Sequence, residues 1–358
     1  TLWDAIGDMN MPTPFLLRLQ TDQVLKWDEI ATGSMTGLII LGVALGVFST
    51  AVEPGTPLED TIPVFTLGLL MYMFLTKRHV YYHHARKWIH GILYKCIFPG
   101  ARISFAEVFI ADGLTSLSKV FADFEQIFCF VGYHVHQWDV YDASPGCMSS
   151  LFLPIVVSIP YTIRLRQCLI EYRAAGVQKD LVNAFKYASA YPPIWLGHAL
   201  KMAPTGQSPT LYSAWILASV VNTMYTYYWD LVWDWGLFDR TSPNYPLRAR
   251  MMLPRPLYYM WILIDLILRC VWSVQLSNLL RLNSADKIIL FELLEIIRRA
   301  LWNIVRVEYE CIKTDLHHDK NGDLPRSSYA PNIPSLGAKR VGSTNGSFNS
   351  VEMTEVPL

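Results

Sequence analysis

Apolar residues in this chain gather into long runs instead of alternating with polar ones. The runs fall near 34–52, 62–75, 104–133, 148–163, 183–200, 211–235, 257–280 and 286–305. Each approaches the roughly 20 residues that an α-helix needs to cross a bilayer. The pattern predicts an all-α fold, a polytopic transmembrane helical bundle of eight to nine spans. The ninth depends on residues 76–98. There Lys77, Arg78, Arg86, Lys87 and Lys95 interleave with Tyr81, Tyr82, Trp88, Ile89, Leu93 and Ile97. That mixture suits an interfacial amphipathic helix, or a poorly apolar span covered by its neighbours.

Composition agrees with a membrane class. Hydrophobic residues make up 52% of the 358, and charged residues 17%, against about 25% charged in ordinary soluble domains. The lipid bilayer is therefore the expected partner. The formal net charge is zero, which gives no footprint for nucleic acid. The six cysteines are scattered without a CxxC pair, so no disulfide framework is expected. His83-His84 and His134-x-His136 have no acidic or thiol neighbours in sequence, and no metal is expected. No activated nucleophile is legible, so the expectation is a non-enzyme without a cofactor.

Four regions are expected. Residues 1–33 form a polar N-terminal segment. They show no charged n-region followed by an apolar core, so no signal peptide is read there. The chain opens on Thr1, which fits a further helix upstream. Residues 34–103 hold peripheral transmembrane helices, packing or homodimer-forming, and the basic amphipathic segment. Residues 104–312 form the charged transmembrane core. Residues 313–358, rich in Ser, Asn, Gly and Pro, form a disordered tail. Loop charge sets the orientation. The loops at 171–182 and 236–256 and the tail after 308 carry Arg173, Lys179, Arg240, Arg248, Arg250, Arg255, Lys313, Lys320, Arg326, Lys339 and Arg340. The loops near 134–147, 201–210 and 281–285 carry only Lys201 and Arg281. The C-terminus is thus expected in the cytosol.

The charges inside the apolar runs carry the chemistry. Asp230 and Asp234 sit four apart, which on an α-helix puts both on one face. Asp112, Lys119, Asp123, Glu125, Arg164, Arg166, Lys186, Glu292 and Arg298 lie in other runs. Asp265–Arg269 and Glu295–Arg299 are i,i+4 pairs, and Arg306 follows two turns later. On insertion scales a central charge costs about 2.5–3.5 kcal/mol, so such groups face a partner or a water-filled cavity. Pairing that merely holds helices together is the plain alternative, yet polar contacts in bilayers average only about 0.6 kcal/mol. Guanidinium groups bind oxyanions in bidentate fashion. Arg164, Arg269, Arg298, Arg299 and Arg306 would make a phosphate-grade site if their helices bundle, with the acids keeping binding weak enough for release. Asp230 and Asp234 could instead bind a cation or relay protons.

Several motifs then fall in one order. They are Ala111-Asp112-x-Leu114-x-Ser116-Leu117, Arg164-x-x-Gln167-Cys168-Leu169-x-x-Tyr172-Arg173 and Leu181-Val182-Asn183-Ala184-x-Lys186-Tyr187. Trp229-Asp230-x-x-x-Asp234-Trp235-Gly236-Leu237-Phe238, Asp265-x-x-x-Arg269-x-x-Trp272 and Glu295-x-x-Arg298-Arg299-x-x-Trp302-Asn303-x-x-Arg306-x-Glu308 follow. Together they resemble the EXS-domain family over roughly residues 34–312. That family includes the xenotropic and polytropic retrovirus receptor phosphate exporters. The chain looks like the short branch without an SPX domain, typified by the fungal ER-retention-defective proteins.

The resemblance implies an inorganic phosphate transporter of the Golgi, moving phosphate from lumen to cytosol and supporting glycosylation and retention of resident ER and Golgi proteins. It implies a phosphate path of Asp112, Thr115, Lys186, Tyr187, Asp230, Asp234, Arg269, Arg298 and Arg299. Trp272 would gate that path, and Arg164, Asp265, Glu295 and Arg306 would support it. Thr115 stands where the exporters typically have Asn, and Leu153 where they have an arginine. A second hypothesis makes the bundle a sorting scaffold. It would hold Golgi glycosyltransferases, or a sorting adaptor, through cytosolic loops such as 236–256.

Overall fold

The computed structural model describes residues 27–51, 57–76, 82–136, 151–203, 208–275 and 284–321. Most of 1–33, residues 137–150, which hold most of the loop expected near 134–147, and most of the expected tail lie outside them. Every regular element among the described residues is helical. In chain order these are α1 (Trp27–Ala51), α2 (Pro57–Leu75), α3 (His83–Ile97), α4 (Phe105–Ser116), α5 (Ser118–His136) and α6 (Phe152–Ala175). Then come α7 (Gln178–Ala188), α8 (Tyr191–Met202), α9 (Pro209–Trp229), a π-helical turn (Asp230–Asp234), α10 (Arg255–Arg269), a 3-10 turn (Val271–Gln275) and α11 (Ser284–Asn321). Residues 313–321, expected to begin the tail, continue α11 as helix.

Among the described residues, three helices are long and apolar enough to cross a membrane on those grounds alone: Ala31–Thr50, Phe152–Ala175 and Arg255–Ser273. Thr61–Leu75 is apolar but shorter. Two of the runs expected to span as single helices are broken. Run 104–133 divides at Leu117, which joins α4 to α5. Run 183–200 divides at Ser189 and Ala190, where Pro192 and Pro193 open α8. Proline suits a first helical turn and stops the preceding helix from continuing. With 11 and 12 residues, α7 and α8 are each only about 17 Å long, roughly half the hydrocarbon thickness. Irregular backbone at such depth is tolerated where protein buries it or a cavity hydrates it. Here Ser189 Oγ lies 2.6 Å from the Lys186 carbonyl and 3.0 Å from Asn222 Oδ1.

Helices α1 and α2 pack mainly on each other, and the spanning window of α1 is wholly unburied. Within segment 76–98, His83–Ile97 form the 15-residue α3, about 22 Å long. Ile92 and Cys96 bury against Ala106 and Ala111 of α4. Arg86 Nη1 donates to the carbonyls of Met73 (2.9 Å) and Thr76 (2.6 Å) and so caps α2. Ser104 caps the start of α4: its Oγ accepts from the Glu107 amide and donates to Glu107 Oε1 at 2.8 Å. Cys129 of α5 is disulfide-bonded, contrary to the expectation drawn from cysteine spacing. Its apolar sequence neighbours had disguised it as a small buried hydrophobe.

The main core cluster lies past the π turn. Trp235, Leu237, Leu247, Tyr258, Trp302 and Val305 are almost wholly buried there. Arg248, one of the loop arginines, is also 4% exposed. Its Nη2 pairs with Glu308 Oε2 at 2.5 Å, and its Nη1 donates to the Trp235 carbonyl. Glu308 Oε1 in turn accepts from the Met252 amide at 2.6 Å and from the Tyr258 hydroxyl. This network fixes the loop after the π turn to the cytosol-expected half of α11.

Candidate functional site

Helices α4, α5, α6, α7, α9, α10 and α11 line a cavity of about 380 Å³. Its wall takes in Asp112, Thr115, Lys186, Tyr187, Asp230, Asp234, Arg269, Arg298 and Arg299, together with Trp272 and Glu295. The residues that sequence reasoning grouped into one path therefore do share one space. Arg164, Asp265 and Arg306 stand behind the wall.

The backbone explains why groups so far apart in sequence converge. Asp230 and Asp234 do not sit on an ordinary α turn, as their spacing suggests. The ladder slips to i→i+5, with the Trp235 amide bonding the Asp230 carbonyl at 2.8 Å. π turns of this kind recur at functional sites. Their effect here is to give the two acids different partners. Asp230 Oδ2 pairs with Arg269 and lies 3.9 Å from Arg298. Asp234 Oδ1 is 3.7 Å from Arg306.

Most of the charge is internally matched. Arg269 also donates to Asp265 (2.9 Å) and to Thr226 Oγ1 (2.9 Å). Glu295 does not pair with Arg299, its i,i+4 neighbour. It takes Arg298 instead, at 2.6 and 2.8 Å, and Arg298 reaches Asp265 at 3.3 Å as well. At the floor, Asp112 Oδ1 accepts from Arg164 Nε (2.7 Å) and from the Tyr187 hydroxyl (2.5 Å). Arg164 Nη1 holds Gln167 at 2.5 Å. Asp112 is thus already occupied, and it positions Tyr187 and Arg164.

Two cations on the wall remain without a carboxylate partner among the described residues. Arg299 donates only to hydroxyls, Ser116 Oγ at 2.7 Å and Thr115 Oγ1 at 3.3 Å, with its guanidinium 4.6 Å from the Trp302 ring centroid. Lys186, 6% exposed, has its ammonium 4.2 Å from the Tyr187 ring and 5.2 Å from the Trp229 ring. Among the described residues no carboxylate lies within ion-pair distance of either. Buried cations left over in this way favour an anionic ligand.

Trp272 Nε1 donates to Thr223 Oγ1 at 3.0 Å, and its ring meets Trp215 edge-on. Of the tryptophans beside the acids, Trp229 and Trp235 are core residues, while Trp233 is 38% exposed. Leu153, standing where the resemblance would place an arginine, is buried. Sequence reasoning missed Ser116, Ser118, Tyr161, Asn222, Thr223, Thr226 and Trp302, which also line the cavity. Asn222, Thr223, Thr226 and Asp230 form a polar stripe at helical spacing on an otherwise apolar helix, and that stripe was visible in the sequence.

Comparison with known proteins identifies the family. Human solute carrier family 53 member 1 is 31% identical over 269 residues, covering 69% of this chain and 38% of that protein. The Xenopus laevis xenotropic and polytropic retrovirus receptor 1 homolog is 30% identical over 266 residues, covering 69% and 38%. The Arabidopsis thaliana phosphate transporter PHO1 homolog 8 is 28% identical over 309 residues, covering 83% and 40%. The chain therefore spans well under half the length of these relatives. The EXS family pattern matches residues 3–312. This chain is a member of the EXS family.

Proposed function

We propose that the protein moves inorganic phosphate across a membrane through this cavity. The observation that carries the reading is that Lys186 and Arg299, both on the wall, have no carboxylate within ion-pair distance among the described residues, whereas Arg269 and Arg298 do. Arg299 offers a planar donor fork and Lys186 a compact point charge, a pairing suited to a tetrahedral oxyanion. The Arabidopsis relative's name, phosphate transporter, supports the choice of anion. Capture is therefore assigned to Arg299 and Lys186, while Arg269 and Arg298 hold the wall. Trp272 closes the space between α9 and the 3-10 turn. The test is phosphate flux from proteoliposomes of purified protein. Arg299→Ala and Lys186→Met should each cut flux at least about tenfold while the protein elutes as the same particle. Unchanged flux in both would sink the assignment.

We further infer a Golgi location with a cytosolic C-terminus, resting on the motif likeness to the fungal ER-retention-defective proteins and on the basic loops. Clearing phosphate from the lumen would then support glycosylation and the retention of resident proteins. The scaffold alternative is separable. It expects normal glycosylation in Arg299→Ala cells and defects in variants of loop 236–256.

A further inference from the structure

Among the acids on the cavity wall, Asp234 is unlike the rest. Asp112, Asp230 and Glu295 each accept a hydrogen bond from a cation beside them. Asp234 is 9% exposed, and its Oδ2 is shut off from solvent with no hydrogen-bond donor among the described residues. Its other oxygen has only the 3.7 Å contact with Arg306, whose Nη1 is already bonded to Glu310 at 2.8 Å. The charges around it are mixed: Lys186 and Arg306 attract, while Asp230 and Asp112 repel. A buried carboxylate oxygen without a donor costs free energy until something brings it a hydrogen.

An anion held by Lys186 and Arg299 would add negative charge beside that oxygen. The arrangement is favourable only for an anion that carries a hydrogen of its own. Phosphate near neutral pH keeps at least one P–OH group, and sulfate keeps none. We propose that Asp234 accepts the hydrogen of a phosphate P–OH group and thereby makes the cavity reject sulfate. This deepens the phosphate reading and rests on it. Sites that require a donor reject a ligand lacking one because a buried polar group is left unpaired. A metal ion on Asp234 is disfavoured by the neighbouring ammonium of Lys186.

The experiment is competition against labelled phosphate flux in proteoliposomes of the wild-type protein. Arsenate carries a hydrogen as phosphate does, whereas selenate, of similar size, carries none. Arsenate should compete at a concentration at least about tenfold lower than selenate. In Asp234→Asn that gap should close, and labelled sulfate should begin to move. Equal competition by the two anions in the wild type overturns the proposal, as does an Asp234→Asn protein that still passes phosphate with the gap intact. If Asp234→Asn passes nothing, displacement of labelled phosphate bound to the purified variant decides: equal displacement by arsenate and selenate supports the proposal, and an intact gap overturns it. Absence of phosphate flux in the wild type overturns the parent reading as well, and so is told apart.

Discussion

Gly236 lies flat against the ring of Tyr309: a Cβ on Gly236 would stand 2.3 Å from Cε2 of that ring. The glycine also holds a left-handed backbone, with φ at +63°. Gly236→Ala is expected to lower stability by about 2 kcal/mol through backbone strain and crowding together. Thermal unfolding in detergent reads it. Tyr309→Ala in the same chain should recover the crowding part and leave the strain. Full recovery would show that φ contributes nothing.

Arg269 and Arg299 should separate stability from transport. Removing Arg269 takes the closest cation from Asp230 and Asp265 and leaves both, with Glu295, to Arg298 alone, a loss of about 3 kcal/mol. Arg299→Gln strands no carboxylate and should cost far less, yet it should cut phosphate flux more than any change in folded protein explains. Matched losses of stability in the two variants would contradict the division of roles.

Glu308 is 0% exposed and holds Arg248, the Met252 amide and Tyr258 at once. Glu308→Ala is expected to destabilise by about 3–5 kcal/mol, because Arg248 is left charged and buried. Limited proteolysis should then find the segment 239–254 first. Cleavage elsewhere before that segment opens would show that the network does not hold it.

Trp272 is expected to slow passage. Trp272→Ala should raise the phosphate flux rate, and Thr223→Val, which removes only the 3.0 Å hydrogen bond, should raise it by about fivefold or less. Stopped-flow measurement with a phosphate sensor in the vesicles checks both. A fall in rate for both variants would make Trp272 part of the binding wall and not a barrier.

The chemistry of the site was more legible than its geometry. Ionisable residues in apolar runs are costly enough to stand out, so the amino-acid sequence alone groups Lys186, Asp230, Arg269 and Arg299. Which charge meets which could not be read. Glu295 is equally placed by helical spacing for Arg298 and Arg299, and only the position of Asp265 and Ser116 on neighbouring helices decides between them. The break before α8 was announced by Pro192 and Pro193. The break at Leu117 has no such marker, since neither proline nor glycine stands there, and it depends on packing between α4, α5 and α6.

The π turn makes the site depend on the number of residues as well as on their kinds. An ordinary helix advances by about 100° per residue, and the wide turn at Asp230–Asp234 absorbs one extra step. Deleting a single residue there would let the backbone relax into regular α-helix. The chain beyond it would keep its phase, but the residues within Asp230–Asp234 would change their facing relative to one another. Point substitutions leave this count intact. The segment is therefore one in which a loss or gain of one residue would be felt at both ends of the cavity wall at once, even with every side chain of the site still present in the chain.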